Sequence, residues 1–321
     1  MKGKENRFSS RTFRLLAFSL LCVALFGGTL YVAGVNVSAN HPVLVEGNCD
    51  SPVPGTTLVA PGTCGDFDGD GRIGTAEDTD GPDRIFGTIN AAIGPGTGAA
   101  AGTGANHNGT VTIVTSGRFA ESIYIGQAFT GPGGVGIPDP GNVTLEAAPG
   151  VDADINAVLQ GDPSGMNGSR QAQPGIVVSY LTNAANRVVT LRNLSVRNFD
   201  VGIWANNASR VVIENCRVEN NLNAGIRVSN TARAVISKAS VSATGFRIPA
   251  SGTLTVGNGI WVEHTAQARV SDSTSSHNIN FGVSNSTGNA ANLVVFKVGA
   301  YFNNAGDFFN VTVAANPNSA N

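Results

Sequence analysis

The chain has 321 residues, 41 of them glycine, only 13% charged residues and a net charge of −2. That balance argues against a nucleic-acid partner, which needs a basic surface. It opens with an export signal: Lys2, Lys4, Arg7, Arg11 and Arg14 form a basic region and residues 15–26 an apolar one. Val37-Ser38-Ala39 then offers small residues for cleavage before Asn40. A signal peptide over residues 1–39 places the product outside the cytoplasm, secreted or at the cell surface. A weaker apolar continuation through Leu30 to Val35 leaves a retained membrane anchor as the alternative. The remaining chain suffices for one large core and is too short for two large domains.

Residues 40–84 read as an N-terminal segment with two devices for holding it in place. Cys49 and Cys64 flank a Pro/Gly-rich loop and can pair in an oxidising compartment. Closing a loop of that size is worth about 3 kcal/mol in the chain-entropy description. Just beyond, Asp66, Asp68 and Asp70 stand at positions one, three and five of a twelve-residue loop. Gly71 stands at six, Arg72 at seven with its backbone carbonyl, Ile73 at eight and Glu77 at twelve. This order supplies the oxygen shell and sharp turn that calcium requires. The loop resembles those of EF-hand and dockerin modules. Gly81-Pro82 would stop a long exiting helix and no second loop pairs with it, so the expected role is structural. Affinity is expected near the weak extracellular range, ~10⁻⁴ to 10⁻³ M.

From residue 85 to 313 the chain reads as short strands after one short helix. Phe86-Gly87-Thr88-Ile89-Asn90-Ala91-Ala92-Ile93 fits a capping helix and Thr110-Val111-Thr112-Ile113-Val114 a first strand. Residues 94–109 and 131–141 are Gly/Ala/Pro-rich loops. Asn142-Val143-Thr144-Leu145 and Gly175-Ile176-Val177-Val178 read as strands of irregular early coils. From Arg187 to Phe308 one pattern recurs five times, anchored at Leu191, Ile213, Ile236, Val270 and Val295. Glycines close the units at Gly202, Gly225, Gly259, Gly282 and Gly306. Their spacings are 23, 34, 23 and 24, so one unit carries a long insertion between Gly245 and Asn258. A period of that length marks a solenoid. Apolar residues alternate with polar ones, and Asn, Gly, Ser and Thr lie between, which predicts three short strands and tight turns per coil.

These repeats resemble those of the right-handed parallel β-helix superfamily, the pectin lyase-like group. The turn Asn220-Asn221-Leu222-Asn223-Ala224-Gly225-Ile226, the capping helix and Gly117-Arg118-Phe119-Ala120-Glu121 carry the likeness. The resemblance implies an all-β coil with an N-terminal helical cap, preceded by the calcium loop. It says little about chemistry, since this fold hosts lyases, hydrolases and inert scaffolds. The catalytic segments of pectin methylesterases, polygalacturonases and alginate epimerases have no counterpart in the sequence.

One outward stripe stands out. Ile203, Ile226, Ile260 and Val283 follow the glycines and point inward, so Trp204, Arg227, Trp261 and Ser284 point outward and stack. A guanidinium between two indoles suits cation–π contact, and an exposed aromatic face suits a sugar ring. Asn206, Ser229, Glu263 and Ser286 form the stripe beside it. Packing beneath the long insertion is the alternative role for the two tryptophans. Glu263, His264, Asp272 and His277 are the titratable candidates for catalysis nearby. Residues 314–321 form a tail with no capping helix, and an uncovered last coil would favour self-association. The expected function is therefore an exported β-helix, carbohydrate-binding or structural, with calcium as its ion and a polysaccharide or cell-surface glycan as partner. The alternative is a polysaccharide lyase or hydrolase.

Overall fold

The structure, a computed structural model, describes residues 43–46, 85–86, 88–93, 109–125, 142–157, 173–180, 188–245 and 257–315. The expected leader, the expected calcium loop and both Cys49 and Cys64 lie outside these residues. So do the insertion at 246–256 and the tail beyond 315. Among the described residues, short strands form three parallel sheets of ten, seven and seven strands. From Gly109 onward each turn of the coil gives one strand to each sheet in the same order, so neighbours in a sheet are one full coil apart in sequence. The middle coil, for example, runs Arg210–Glu214, Arg217–Glu219 and Ala224–Val228.

The expected register holds at every anchor. Leu191, Ile213, Ile236, Val270 and Val295 are successive partners in the first sheet and all are buried. In the second sheet Val196, Val218, Val241, Ser275 and Ala300 stack in the same way. In the third, Ile203, Ile226, Ile260, Val283 and Phe308 do so. Strand alternation turns these residues inward together, and each fully buried aliphatic side chain contributes roughly 1.5–3 kcal/mol. Cys216 sits between two such columns as a buried free thiol, and burial pushes its pKa up to about 11. That state suits a small core hydrophobe and not a nucleophile.

The corners explain why asparagine recurs. From Asn193 onward, one left-handed residue turns each coil between first and second sheets: Asn193, Asn215, Lys238, Asp272 and Lys297. Between second and third sheets the same place is held by Asn198, Asn220, Ala243, His277 and Phe302. Asparagine adopts this backbone most readily among residues with a side chain. It also bonds along the stack: Asn215 donates to Asn193 at 2.8 Å, and Asn198 to Asn156 at 2.8 Å. The repeating glycines have a different reason from turning the chain. A Cβ on Gly202 would lie 2.5 Å from Val218 and 2.6 Å from the Gly225 carbonyl oxygen. Close packing against the next coil excludes a side chain there.

The first sheet begins upstream of residue 85. Val43–Val45 pairs with Ile85–Phe86 on one side and with Gly109–Ile113 on the other, so it is already a strand of the first sheet. Hydrogen bonding to the growing sheet edge recruits three residues that show no repeat of their own. The helix Ile89–Ile93 follows, with Ile89, Ala92 and Ile93 buried. Its first turn is tied down by the Glu121 carboxylate, which accepts from the backbone N–H of Ile89 at 2.8 Å and of Asn90 at 2.9 Å. These are free N–H groups at a helix start, so the Glu121 turn couples the cap to the first complete coil.

Candidate functional site

The outward column of the third sheet assembles as the alternation requires. Trp204, Arg227, Trp261 and Ser284 are successive register partners, and Tyr124 and Val177 extend the column toward the N-terminus. The Arg227 Cζ lies 4.9 Å from the Trp204 ring centroid and 4.9 Å from that of Trp261. The indoles are two coils apart, about 10 Å along the axis, so the guanidinium sits midway between them. Cation–π attraction acts on both faces, each contact worth about 0.5–1 kcal/mol at a half-exposed site.

Glu263 completes the clamp. Its Oε1 accepts from Arg227 Nε at 2.7 Å and lies 2.5 Å from Nη2. Trp204 Nε1 donates to Ser229 Oγ at 2.8 Å, and Trp261 Nε1 to Ser286 Oγ at 3.1 Å. Ser229 Oγ in turn donates to Asn206 Oδ1 at 3.0 Å. The stripe of Asn206, Ser229, Glu263 and Ser286 therefore holds the column in place. Val177 and Ser284 flank the tryptophans at outward positions, yet they are only 1% and 2% exposed. The column is closed at both flanks, and the two tryptophans are half-buried. The guanidinium covers one face of each ring, which takes that face away from a sugar platform. The sequence showed which residues share the column, but ring pose depends on the guanidinium that separates the rings.

The four titratable candidates do not converge. Glu263 and His264 lie beside each other at the corner from third to first sheet, with His264 Nδ1 3.6 Å from Glu263 Oε1. Asp272 occupies the corner from first to second sheet, and His277 the corner from second to third. His277 packs against Phe302, ring centroids 5.2 Å apart. The three corners lie on different edges of the coil, so the set has no common reacting centre.

Elsewhere on the wall, opposite charges pair across neighbouring strands. Arg192 bridges Glu146 at 3.2 Å and Glu214 at 3.0 Å on the first sheet. On the second, Arg197 grips Asp154 through two bonds of 2.8 and 2.6 Å, and those bonds raise the pKa of its guanidinium. Cross-strand partners one coil apart stand close enough for such pairs to form. Sequence reasoning missed one further feature, a cleft of about 360 Å³ at the edge of the second sheet, lined by residues 148–152, Ser195 and Arg217 among others. The available signal was a five-residue corner where later coils turn on one or two.

Comparison with known proteins bears on this architecture. A family model for the right handed beta helix region matches residues 167–298. The fold is a right-handed parallel β-helix. Among solved structures, the chain is similar to the crystal structure of pectate lyase Pel9A, with 12% identity and a TM-score of 0.38. That likeness covers 87% of this chain and 78% of the other. No curated protein matches the sequence.

Proposed function

We propose that the protein is an exported β-helix, secreted or held at the cell surface, that acts as a structural module and contacts glycans without transforming them. The observation that carries this reading is the clamp of Trp204, Arg227 and Trp261, closed by Glu263. The wall group best suited to acid–base work is already engaged with a guanidinium. General acid–base chemistry needs groups within reach of one reacting proton, and Glu263, His264, Asp272 and His277 lie at three different corners. The test is to incubate the exported protein with acidic and neutral polysaccharides and to follow unsaturated products and reducing ends. No turnover is expected. Turnover abolished by Glu263→Gln would replace this reading with a lyase or hydrolase.

The calcium and disulfide assignments belong to the same proposal and rest on sequence. Asp66, Asp68, Asp70, the Arg72 carbonyl and Glu77 would hold the ion, and a Cys49–Cys64 bridge would hold the loop that precedes it. Four carboxylates so close repel one another without a cation, which fits a hard divalent ion. Chelation with EGTA should lower the melting temperature by several degrees, and Asp66→Asn should remove that difference. An unchanged melting temperature in EGTA would dismiss calcium as a stapling ion. Self-association through the C-terminal coil is also part of the proposal. It is supported by the exposure of Tyr301, Phe302, Phe308, Phe309 and Val313.

A further inference from the structure

The first corner of the coil turns on Asn193 and Asn215 in later rungs, but one rung earlier it spans residues 148–152. This longer corner is held firmly. The Val151 N–H donates to the Ala148 carbonyl at 3.0 Å, and the Asp152 N–H donates to Ser116 Oγ at 3.0 Å. The Gly117 N–H donates to the Asp152 carbonyl at 3.1 Å. Gly150 adopts φ of 82°, the left-handed backbone that folds the corner over. The corner thus stands as a fixed wall beside the outer face of the second sheet. Between it and the next two rungs lies the cleft of about 360 Å³.

Its lining is mixed in a specific way. Asp152 brings an exposed carboxylate, and Arg217 a half-exposed guanidinium steadied by Glu219 at 3.4 Å. Ser195, between Asp154 and Arg217 in the outward column, is 5% exposed and its hydroxyl has no hydrogen-bond partner. A buried hydroxyl left unpaired is costly and calls for an explanation. Pro149 and Val151 supply an apolar strip.

We propose that this cleft binds one neutral pyranose residue of a polysaccharide. A carboxylate accepts from vicinal hydroxyls, a guanidinium donates to sugar oxygens, and the Pro149–Val151 strip faces the C–H surface of the ring. Glu219 already offsets the Arg217 charge, so the Asp152 carboxylate leaves the cleft net negative and favours an uncharged sugar over a uronate. The volume falls at the small end of the range for ligand sites. The proposal rests on the glycan-contacting half of the function above and gives it a place away from the tryptophan column.

The experiment is saturation-transfer NMR and calorimetry on the exported chain with cello-, xylo- and mannohexaose, and with an oligogalacturonate of the same length. Binding of at least one neutral hexaose is expected, stronger than that of the uronate. Asp152→Asn and Arg217→Gln should each weaken it by roughly tenfold or more, as loss of a hydrogen bond to a charged group implies. Their melting temperatures should stay those of the parent, since both side chains lie at the surface. No neutral binding, preference for the uronate, or binding indifferent to both substitutions would overturn the cleft and leave the structural role standing. Turnover of the sugars would overturn the proposed function and leave the cleft standing.

Discussion

The middle coils and the last coil follow one register but differ in what covers them. In the third sheet Ile260 belongs to a column with neighbours above and below, and it is 0% exposed. Phe308 ends that column after Val283 and is 40% exposed. Nearby, Phe302 reaches 74%. The interior also changes toward this end. Valines of the second-sheet column give way to Ser275 and Ala300, and Asn278 is buried and hydrogen-bonded to Asn303 at 2.8 Å. Each coil of a solenoid is stabilised mainly by its neighbours. Among the described residues the last coil is paired on one side only, so it should be held less firmly than a middle coil.

The sharpest way to test that contrast is to truncate the same column at two heights. Ile260→Ala should cost about 3 kcal/mol in urea unfolding, whereas Phe308→Ala should cost under about 1 kcal/mol. Equal costs would mean that the last coil is as well covered as the middle ones. A second test uses Cys216, buried in a middle coil. Its thiol should resist alkylation at pH 8 in the folded chain and react on unfolding. Its folded pKa stands above the ordinary value of 9.0, at about 11. The folded state thus keeps its proton longer, so this contribution is complete below pH 9 and is lost as pH rises toward 11. Stability of Cys216→Ala should fall less steeply over that window than that of the parent. Melting curves from pH 8 to 11 read the difference.

A smaller effect is expected at the corners. Ala243 holds a left-handed backbone between Asn220 and His277 in its stack. Ala243→Asn should raise stability by about 1 kcal/mol, because asparagine relieves the steric cost that alanine bears there. No gain, measured by urea unfolding, would show that the corner tolerates any residue equally.

Most of the coil was legible because its signal repeats. A single buried column such as Leu191 to Val295 fixes strand phase five times over, and an error at one rung would disagree with four others. Val43–Val45 was not legible for the opposite reason. It is one short apolar stretch, paired across a long interval, with no second copy to reveal its phase. The cleft escaped notice because its defining feature is a corner of unusual length, and its polar groups, Ser195 and Arg217, occupy ordinary repeat positions. The tryptophan column was legible as a column, while packing and ligand binding stayed open as its two roles. Periodicity assigns a side chain to a face and leaves its rotamer to the neighbours.

The proposed structural role depends most on the clamp of Trp204, Arg227 and Trp261 acting as a column. A double-mutant cycle in urea, with Trp204→Ala, Arg227→Met and the pair, measures this directly. The clamp predicts coupling of about 0.5–1 kcal/mol between the two side chains, with retention on polysaccharide gels unchanged in every variant. Coupling near zero, accompanied by lost retention in the tryptophan variant, would show that the indoles bind sugar and that the wall is a ligand surface.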